Sequence, residues 1–321
     1  MSEISYDGSV HDKERLIELQ ALPLDRKIQI TQTRIIEWYN YWNGHVYVLF
    51  SGGKDSTVLL HIARKIFPEI RAVFCDTGLE YPEIRDFVKM VDNVTWIKPE
   101  MSFRKIIETY GYPLISKEVS KKIEESRKCP DGSSARAFDP DSEYVRKYGK
   151  TYCLDKWVWL RDSEIPVSSQ CCNVMKKLPS AKFERETGLH PIVGVTADES
   201  LLRATSWIQH GCNVFDGRHP KSRPLSVWKE RDIIEYLYRY SVPYAPVYGR
   251  ISHIGDGFHT TEAQRTGCMF CPLGVHLEKS PNRFQLMKTR YPKIWEYCMK
   301  PWDDGGLGLR EIFDRMNVPV D

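Results

Sequence analysis

The most constraining feature of this sequence is residues 46–57, which read VYVLFSGGKDST. Its five apolar residues indicate a buried strand, the polar residues after them a sharp turn, and residues 56–65 a helix. Two adjacent glycines let the backbone approach a bulky anion, and the helix amides and the ammonium of Lys54 supply positive potential. A Walker A loop is excluded, because four residues would separate its first glycine from the Gly-Lys pair. The stretch predicts a phosphate-binding loop, with an ordinary Gly-rich connection as the alternative.

Strands and helices continue to alternate after this loop. Residues 71–75 and 93–97 predict two further short strands, and a helix is predicted between them from Pro82. This order is typical of an α/β fold, a twisted parallel sheet with helices on both faces. Ligands of such sheets bind beyond the carboxyl ends of the strands. The turn at residues 51–56 and the turn at residues 76–78 both follow strands, so we expect them to form one site.

The chain is predicted to have three parts. They are an N-terminal helical segment at residues 1–44, a phosphate-loop domain at 45–250 and a C-terminal segment at 251–321 with a closing helix. Residues 117–165 are predicted to be an insert in the domain. From residue 128 to about residue 154 this insert is rich in Pro, Gly, Ser and Asp, which indicates a surface loop or lid.

The composition of the chain limits where the protein can reside and what it can bind. The 46 basic and 43 acidic side chains nearly balance, so a nucleic-acid partner is neither required nor excluded. The apolar runs are far shorter than the roughly 20 residues of a membrane span, and no signal peptide is visible. We therefore expect a cytoplasmic protein without a membrane segment. Nine cysteines in such a protein favour metal, cluster or redox chemistry over structural disulfides.

Four of the cysteines form two closely spaced pairs. Cys171 and Cys172 are adjacent, and Cys268 and Cys271 have the two-residue gap that lets two sulfurs reach one metal unit. The pairs are distant in sequence, so the tertiary fold must bring them together. An all-thiolate site fits an iron–sulfur cluster or zinc, although a cysteine dyad is unusual for structural zinc. A cluster is the favoured interpretation, and zinc and unpaired reduced thiols stay open.

These motifs together resemble the PP-loop superfamily and, within it, the adenylylsulfate and phosphoadenylylsulfate (PAPS) reductase family. Residues 51–56 resemble the PP-loop itself, and residues 76–78 resemble the motif after the second strand. The dyad at 171–172 with Lys176, and the pair at 268–271, resemble the segments that hold a [4Fe-4S] cluster in the adenylylsulfate branch. The resemblance covers most of the chain and implies an adenine nucleotide α-hydrolase-like fold.

Three departures separate this chain from true reductases of the family. Residues 196–197 are Thr-Ala where the reductases have an arginine-rich turn, and Met175 replaces an arginine of the dyad segment. The reductases also end in a mobile segment that carries a nucleophilic cysteine. Here the tail contains only Cys298, which lacks the glycine and histidine that follow the nucleophile. These differences favour a relative that uses ATP.

The resemblance then implies ATP pyrophosphatase chemistry coupled to sulfur transfer, as in tRNA thiolation and in the PAPS-reductase-like component of DNA phosphorothioation. The implied cofactors are ATP, or a sulfonucleotide, with Mg²⁺ and a [4Fe-4S] cluster. Asp55 would cap the helix or help to place Mg²⁺. The implied catalytic residues are Lys54, Asp55, Lys176 and Arg203. The residues implied to bind the nucleotide are Ser51, Gly52, Gly53, Lys54, Asp55, Ser56, Asp76, Thr77 and Gly78. The implied cluster ligands are Cys171, Cys172, Cys268 and Cys271.

Two alternatives stay open. One is a genuine adenylylsulfate or PAPS reductase that releases sulfite with Cys298 or a partner thiol. The other is a non-catalytic nucleotide-binding or redox-sensing subunit of a larger system. The expected partners are a sulfur donor protein or thiol reductant, and a second copy of the chain or a partner subunit. Nucleic acid is a candidate acceptor, because basic pairs at 121–122, 127–128 and 146–147 could contact its backbone, although solvated charge is the favoured interpretation.

Overall fold

The computed structural model describes residues 11–217, 219–255 and 257–321. The first ten residues of the predicted N-terminal segment therefore lie outside the described part of the chain. Within the described ranges, every helix is too short or too polar to span a bilayer.

The chain divides into two units. The first contains the predicted phosphate-binding loop and comprises the N-terminal residues up to Asp76, Glu80–Lys98 and Pro179–Gly267. The second contains the two cysteine pairs and comprises Thr77–Leu79, Pro99–Leu178 and Cys268–Asp321. These boundaries differ from the three-part division based on the sequence, which stays a prediction.

The strands all belong to the first unit. In chain order they are β1 (Val46–Leu49), β2 (Arg71–Cys75), β3 (Val94–Ile97), β4 (His190–Val193), β5 (Asn213–Val214), β6 (Lys221–Ser222), β7 (Ile251–Ile254) and β8 (Gly257–Thr260). Among the described residues, six form a sheet in the order β3-β2-β1-β4-β6-β5, parallel except for β5. β7 and β8 form a separate antiparallel pair. The strands predicted around the loop are confirmed to within one residue at each end.

Fifteen α-helices lie in the described part of the chain. They are α1 (Lys13–Ala21), α2 (Leu24–Tyr41), α3 (Lys54–Ile66), α4 (Pro82–Lys89), α5 (Phe103–Tyr110), α6 (Lys117–Lys128), α7 (Ser133–Arg136), α8 (Glu143–Tyr148), α9 (Val158–Asp162), α10 (Leu178–Thr187), α11 (Leu201–His210), α12 (Glu230–Arg239), α13 (Arg283–Arg290), α14 (Pro292–Met299) and α15 (Leu309–Arg315). The predicted helix at Pro82 is confirmed, with the proline in the first turn, where its missing N–H costs no hydrogen bond.

The central strand shows why the sheet is covered on both faces. Val46 and Val48 enter the large core on one side, whereas Tyr47 packs with Val73 and Phe183 in a smaller cluster. Neighbouring side chains of a strand point to opposite faces, so burial of all three requires a layer on each face. The predicted α/β fold, with helices on both sides of a mostly parallel sheet, is confirmed.

The second unit is helical, and its structure shows that one prediction is wrong. The stretch from residue 128 to 154, predicted as a loop or lid, contains α7 and α8 and buries Ala137, Phe138 and Val145. One of the turn-forming residues of this stretch caps a helix. The Ser142 hydroxyl accepts the N–H of Val145 at 3.2 Å and so starts α8. The same residue types that favour loops also begin short helices, and composition alone does not distinguish the two.

Candidate functional site

The phosphate-binding loop connects β1 to α3. Gly52 has a φ of 72°, and a Cβ at this position would come within 2.8 Å of side-chain carbons of Ile84 and Val88. Both observations require glycine. Gly53 is the N-cap of α3, which has no side-chain cap. The predicted capping role of Asp55 is therefore wrong, because Asp55 is the second residue inside the helix.

Two serines fix the shape of this loop. The Ser56 hydroxyl accepts the backbone N–H of Ser51 at 3.2 Å and donates to the carbonyl of Gly53 at 2.9 Å. The Ser51 hydroxyl accepts the N–H of Gly53 at 3.3 Å. Because these bonds join the two ends of the turn, the backbone is held in its tight path at the start of α3.

Lys54 is buried, with 4% of its surface exposed. Its ammonium lies 2.5 Å from a carboxylate oxygen of Glu230 and also donates to the carbonyl of Gln264. Its backbone N–H donates to the hydroxyl of Tyr248 at 3.3 Å, and that hydroxyl lies 2.7 Å from Oγ1 of Thr266. The sequence predicts none of these contacts of Lys54, because the residues it touches are 176 to 210 positions away.

Asp55 and Arg203 interact electrostatically in the first unit. Burial raises the pKa of Asp55, and the neighbouring charge of Lys54 opposes this rise. Burial lowers the pKa of Arg203, and Asp55 opposes that change. Arg203 also forms an ion pair with Glu199. Arg265, which the sequence does not single out, lowers the pKa of both groups. The only sequence feature that points to Arg265 is its position three residues before the second cysteine pair.

Several predicted residues follow neighbouring strands at one edge of the sheet. The loop at 51–56 follows β1, Asp76 follows β2, and Arg203 lies beyond β4, and these strands are adjacent in the order β2-β1-β4. Asp76 is buried and accepts a hydrogen bond from the guanidinium of Arg85 at 2.9 Å. The predicted residues Thr77 and Gly78 belong to the second unit. The first unit thus gathers the loop, Asp76 and Arg203.

The second unit brings the four predicted cysteines to one small pocket. Cys171 and Cys172 begin a helical segment that passes through a π-helical turn at Asn173–Lys177 before α10. The other pair is anchored through its backbone. The N–H of Met269 donates to a carbonyl at 2.7 Å, and the carbonyl of Cys271 accepts from a guanidinium at 3.1 Å. Among the described residues, no Asp, Glu or His lines this pocket.

Two thiols of this pocket, those of Cys171 and Cys271, favour their neutral form. Burial raises the pKa of Cys171 far above its usual range, the other thiols of the pocket raise it further, and Lys176 opposes the rise. Burial likewise raises the pKa of Cys271 to about 11. A positively charged centre is needed to keep several thiolates together. As a donor set, four thiols fit an iron–sulfur cluster or zinc. The four cysteines line one pocket, but within the described ranges no three or more His, Cys, Asp or Glu side chains are arranged to hold a metal ion.

Cys298 lies on α14 and is fully buried. Burial raises its pKa to about 12, so its thiol is protonated at neutral pH. A buried, protonated thiol is a poor nucleophile. The geometry therefore disfavours the alternative in which Cys298 attacks sulfur.

Several curated proteins resemble this chain. A sulfate adenylyltransferase subunit 2 of Psychromonas ingrahamii is 26% identical, over 74% of this chain and 68% of that protein. An adenosine 5'-phosphosulfate reductase of Bacillus mycoides is 21% identical, over 76% of this chain and 89% of that protein. An uncharacterized protein of Methanocaldococcus jannaschii is 25% identical over 77% of this chain, which spans only 44% of that protein.

A solved structure also resembles this chain. It is the phosphate complex of the PAPS reductase from Candida auris, which is 15% identical, covers 76% of this chain and 95% of its own, and superposes with a TM-score of 0.40. The sequence profile of the phosphoadenosine phosphosulfate reductase domain family matches residues 45–129 and 138–273, more than half of the chain. The chain therefore belongs to the phosphoadenosine phosphosulfate reductase domain family.

Proposed function

We propose that this chain binds an adenine nucleotide at the loop formed by residues 51–56, and that it uses ATP in a pyrophosphatase reaction coupled to sulfur transfer. The observation that carries the proposal is the loop itself, in which Gly52, Gly53 and the buried Lys54 stand at the start of α3, beyond the end of β1. A helix N-terminus with a lysine ammonium is a site for phosphate groups. Family membership supports a nucleotide as their source.

In the proposed reaction an acceptor oxygen attacks the α-phosphorus of ATP. The bond from that phosphorus to the bridging oxygen breaks, and pyrophosphate leaves with the electron pair. Sulfur then attacks the adenylylated acceptor and AMP leaves. The loop amides and Lys54 would stabilise the negative charge on the leaving pyrophosphate, for which the ammonium must exchange the Glu230 carboxylate for phosphate oxygens. Arg203 would neutralise further phosphate charge.

The remaining predicted nucleotide contacts are proposals of the same kind. Asp76 of the first unit would line the adenosine, and the predicted contacts of Thr77 and Gly78 stay expectations from the sequence. Mg²⁺ bound to the nucleotide would neutralise phosphate charge, and Asp55 is the carboxylate of the loop that would help to place it.

The cysteine pocket would hold an iron–sulfur cluster through Cys171, Cys172, Cys268 and Cys271, and such a cluster would supply sulfur or electron-transfer chemistry when bound. The support is the presence of four thiols in one pocket without a competing oxygen ligand from a carboxylate. Lys176 would favour the thiolate form of Cys171, since its charge lowers the pKa of that thiol.

A reductase is the second candidate. Its support is the similarity to the Bacillus mycoides adenosine 5'-phosphosulfate reductase over 89% of that protein. In that reaction a thiolate attacks sulfur, the nucleotide leaves, and a second thiol releases sulfite as a disulfide forms. Because Cys298 is buried, the attacking thiol would come from a partner. A non-catalytic subunit is the third candidate, since one relative is named as a subunit of its enzyme.

One experiment separates the three candidates. Anaerobically purified protein is incubated with ATP, adenylylsulfate or PAPS, with and without a thiol reductant. Pyrophosphate release from ATP supports the proposal, and thiol-dependent sulfite release supports the reductase instead. Tight binding without turnover of any of the three supports the non-catalytic subunit. A protein that binds none of them contradicts nucleotide binding at the loop.

A further inference from the structure

The second unit carries a row of three tyrosines to which the proposed nucleotide chemistry assigns no role. Tyr144, Tyr148 and Tyr152 are four residues apart and are called here the tyrosine row. The ring centroids of the first two are 4.8 Å apart, and those of the second and third are 6.4 Å apart. Tyr148 and Tyr152 are 50% and 52% exposed, which is high for side chains of this size. The row thus forms a continuous aromatic strip that is accessible along two of its three rings.

The tyrosine row is fixed to the protein rather than displayed on a loose segment. Val145 on α8 is 4% exposed and anchors the helix between the rings. The ammonium of Lys122 donates to the hydroxyl of Tyr144 at 2.6 Å and so ties the row to α6. Gly149 has a φ of 95°, which lets the chain turn after α8 and bring Tyr152 against Tyr148. A rigid aromatic surface loses little entropy on binding a flat ligand.

Several basic residues of the second unit already have internal partners. Lys121 pairs with Glu125 and Lys128 pairs with Glu124. The guanidinium of Arg127 donates to four backbone carbonyls, which ties α6 to the end of the insert. Two of the three basic pairs singled out in the sequence therefore contain residues that bind internal partners.

Three basic residues beside the tyrosine row are different. Arg146, Lys147 and Lys150 are exposed, and none of them forms an ion pair within the residues that the structure describes. The ammonium of Lys147 lies 5.2 Å from the ring centre of Tyr148. Residues 143–152 contain these three basic residues and one acidic residue, in a chain whose charges otherwise nearly balance. Positive charge without an ion-pair partner is concentrated in the segment that carries the tyrosine row.

We propose that the tyrosine row, with Arg146, Lys147 and Lys150, binds single-stranded nucleic acid. Bases would stack on the exposed rings of Tyr148 and Tyr152, and the cations would contact the phosphates that connect the bases. A duplex fits less well, because its bases are paired and stacked on one another. An acidic peptide would use the cations but leave the rings without a matching partner. The proposal does not rest on the proposed nucleotide chemistry, because it concerns a separate surface of the second unit.

The test measures binding of the full chain to a fluorescein-labelled 12-nucleotide single strand, as DNA and as RNA, by fluorescence anisotropy at several salt concentrations. We expect binding whose logarithm falls linearly with the logarithm of salt concentration. Tyr148→Ala and Tyr152→Ala should each weaken binding about tenfold, whereas Tyr148→Phe should bind like the wild type because it keeps the stacking face. Lys147→Gln should reduce the magnitude of the salt slope by about 0.7.

Matched controls come from the same unit. Tyr110→Ala removes a tyrosine that is 40% exposed but lies outside the row, and Lys121→Gln removes an exposed, paired lysine. Both should bind like the wild type. The proposal is overturned if the wild type does not bind the single strand, if it prefers the annealed duplex, or if polyglutamate competes equally well. It is also overturned if Tyr110→Ala weakens binding as much as Tyr148→Ala.

Discussion

The phosphate-binding loop of the first unit and the cysteine pocket of the second differ in how their reactive groups are partnered. In the loop, the Lys54 ammonium already contacts Glu230, and the two serines hydrogen-bond within the turn. In the pocket, the four thiols line one cavity, and burial together with the neighbouring thiols raises the pKa of Cys171 and Cys271. The polar groups of the loop have partners within the protein. The thiols of the pocket, in contrast, would need a positively charged centre to become thiolates.

This difference indicates what each site requires of its ligand. A nucleotide at the loop has to displace an internal counter-ion, so its affinity reflects a competition between phosphate and carboxylate. A metal centre at the pocket has to displace protons, and it would replace repulsion between thiolates by attraction. We therefore expect the loop to keep its shape with or without a ligand and the pocket to depend on one.

The largest expected effect is at the pocket. Cys271→Ser should lose nearly all iron and the thiolate-to-iron absorption of anaerobically purified protein, because one of the four proposed ligands is removed. Iron analysis and the absorption spectrum are the measurements. Cys129→Ser, which changes an exposed cysteine of the same unit, should keep both. Iron retained in Cys271→Ser, or absent from the wild type, would refute the cluster.

Substitutions of two glycines test how closely the surrounding atoms pack in each region. Gly52→Ala combines a φ of 72° with contact against packed side chains, so it should lower the free energy of unfolding by about 2–5 kcal/mol. Gly78→Ala has a similar φ of 74° but no atom within 4 Å of the added carbon, so about 1–2 kcal/mol is expected. Urea unfolding measures both. Equal losses would show that close packing around the loop contributes nothing.

A smaller effect is expected from the counter-ion of Lys54. Glu230→Gln should tighten ATP binding by about threefold to tenfold, because phosphate no longer competes with a carboxylate for the ammonium. Isothermal titration calorimetry gives the affinity. Glu235→Gln is the control on the same helix, since that carboxylate pairs with Arg239. Weaker binding in Glu230→Gln would mean that the carboxylate assists the nucleotide instead of competing with it.

The smallest effect concerns Cys298. Its raised pKa of about 12 keeps the thiol protonated at lower pH, so the reactive thiolate fraction rises about tenfold per pH unit up to that value. Alkylation by iodoacetamide at pH 8, followed by mass spectrometry, should modify the exposed Cys129 and leave Cys298 unmodified. Rapid modification of Cys298 at pH 8 in folded protein would restore it as a candidate nucleophile.

The parts of the fold that could be predicted depend on local sequence. β2 ends where its apolar run ends, at Cys75, and Pro82 and Ser102 mark the starts of α4 and α5. The first glycine of the loop, Gly52, likewise follows in part from a local backbone constraint, its φ of 72°. The alternation of short strands and helices was enough to predict the α/β sheet, because right-handed crossovers leave few other arrangements.

The parts that could not be predicted depend on contacts across the chain. Glu230 and Gln264 reach Lys54 from 176 and 210 residues away, and no pattern around them signals a role. The helices α7 and α8 were missed because their capping residues resemble loop residues. The sequence does not indicate the tyrosine row either, since its third ring joins the other two only after the chain turns at Gly149.

The central claim is that the loop of the first unit binds a nucleotide through Lys54, and titration of ATP into wild-type and Lys54→Ala protein tests it most directly. Loss of a charge-assisted contact to phosphate should weaken binding by about tenfold or more. Lys65→Ala, on the same helix with its ammonium 4.5 Å from the ring centre of Tyr240, should bind like the wild type. Unchanged ATP affinity in Lys54→Ala would contradict the account.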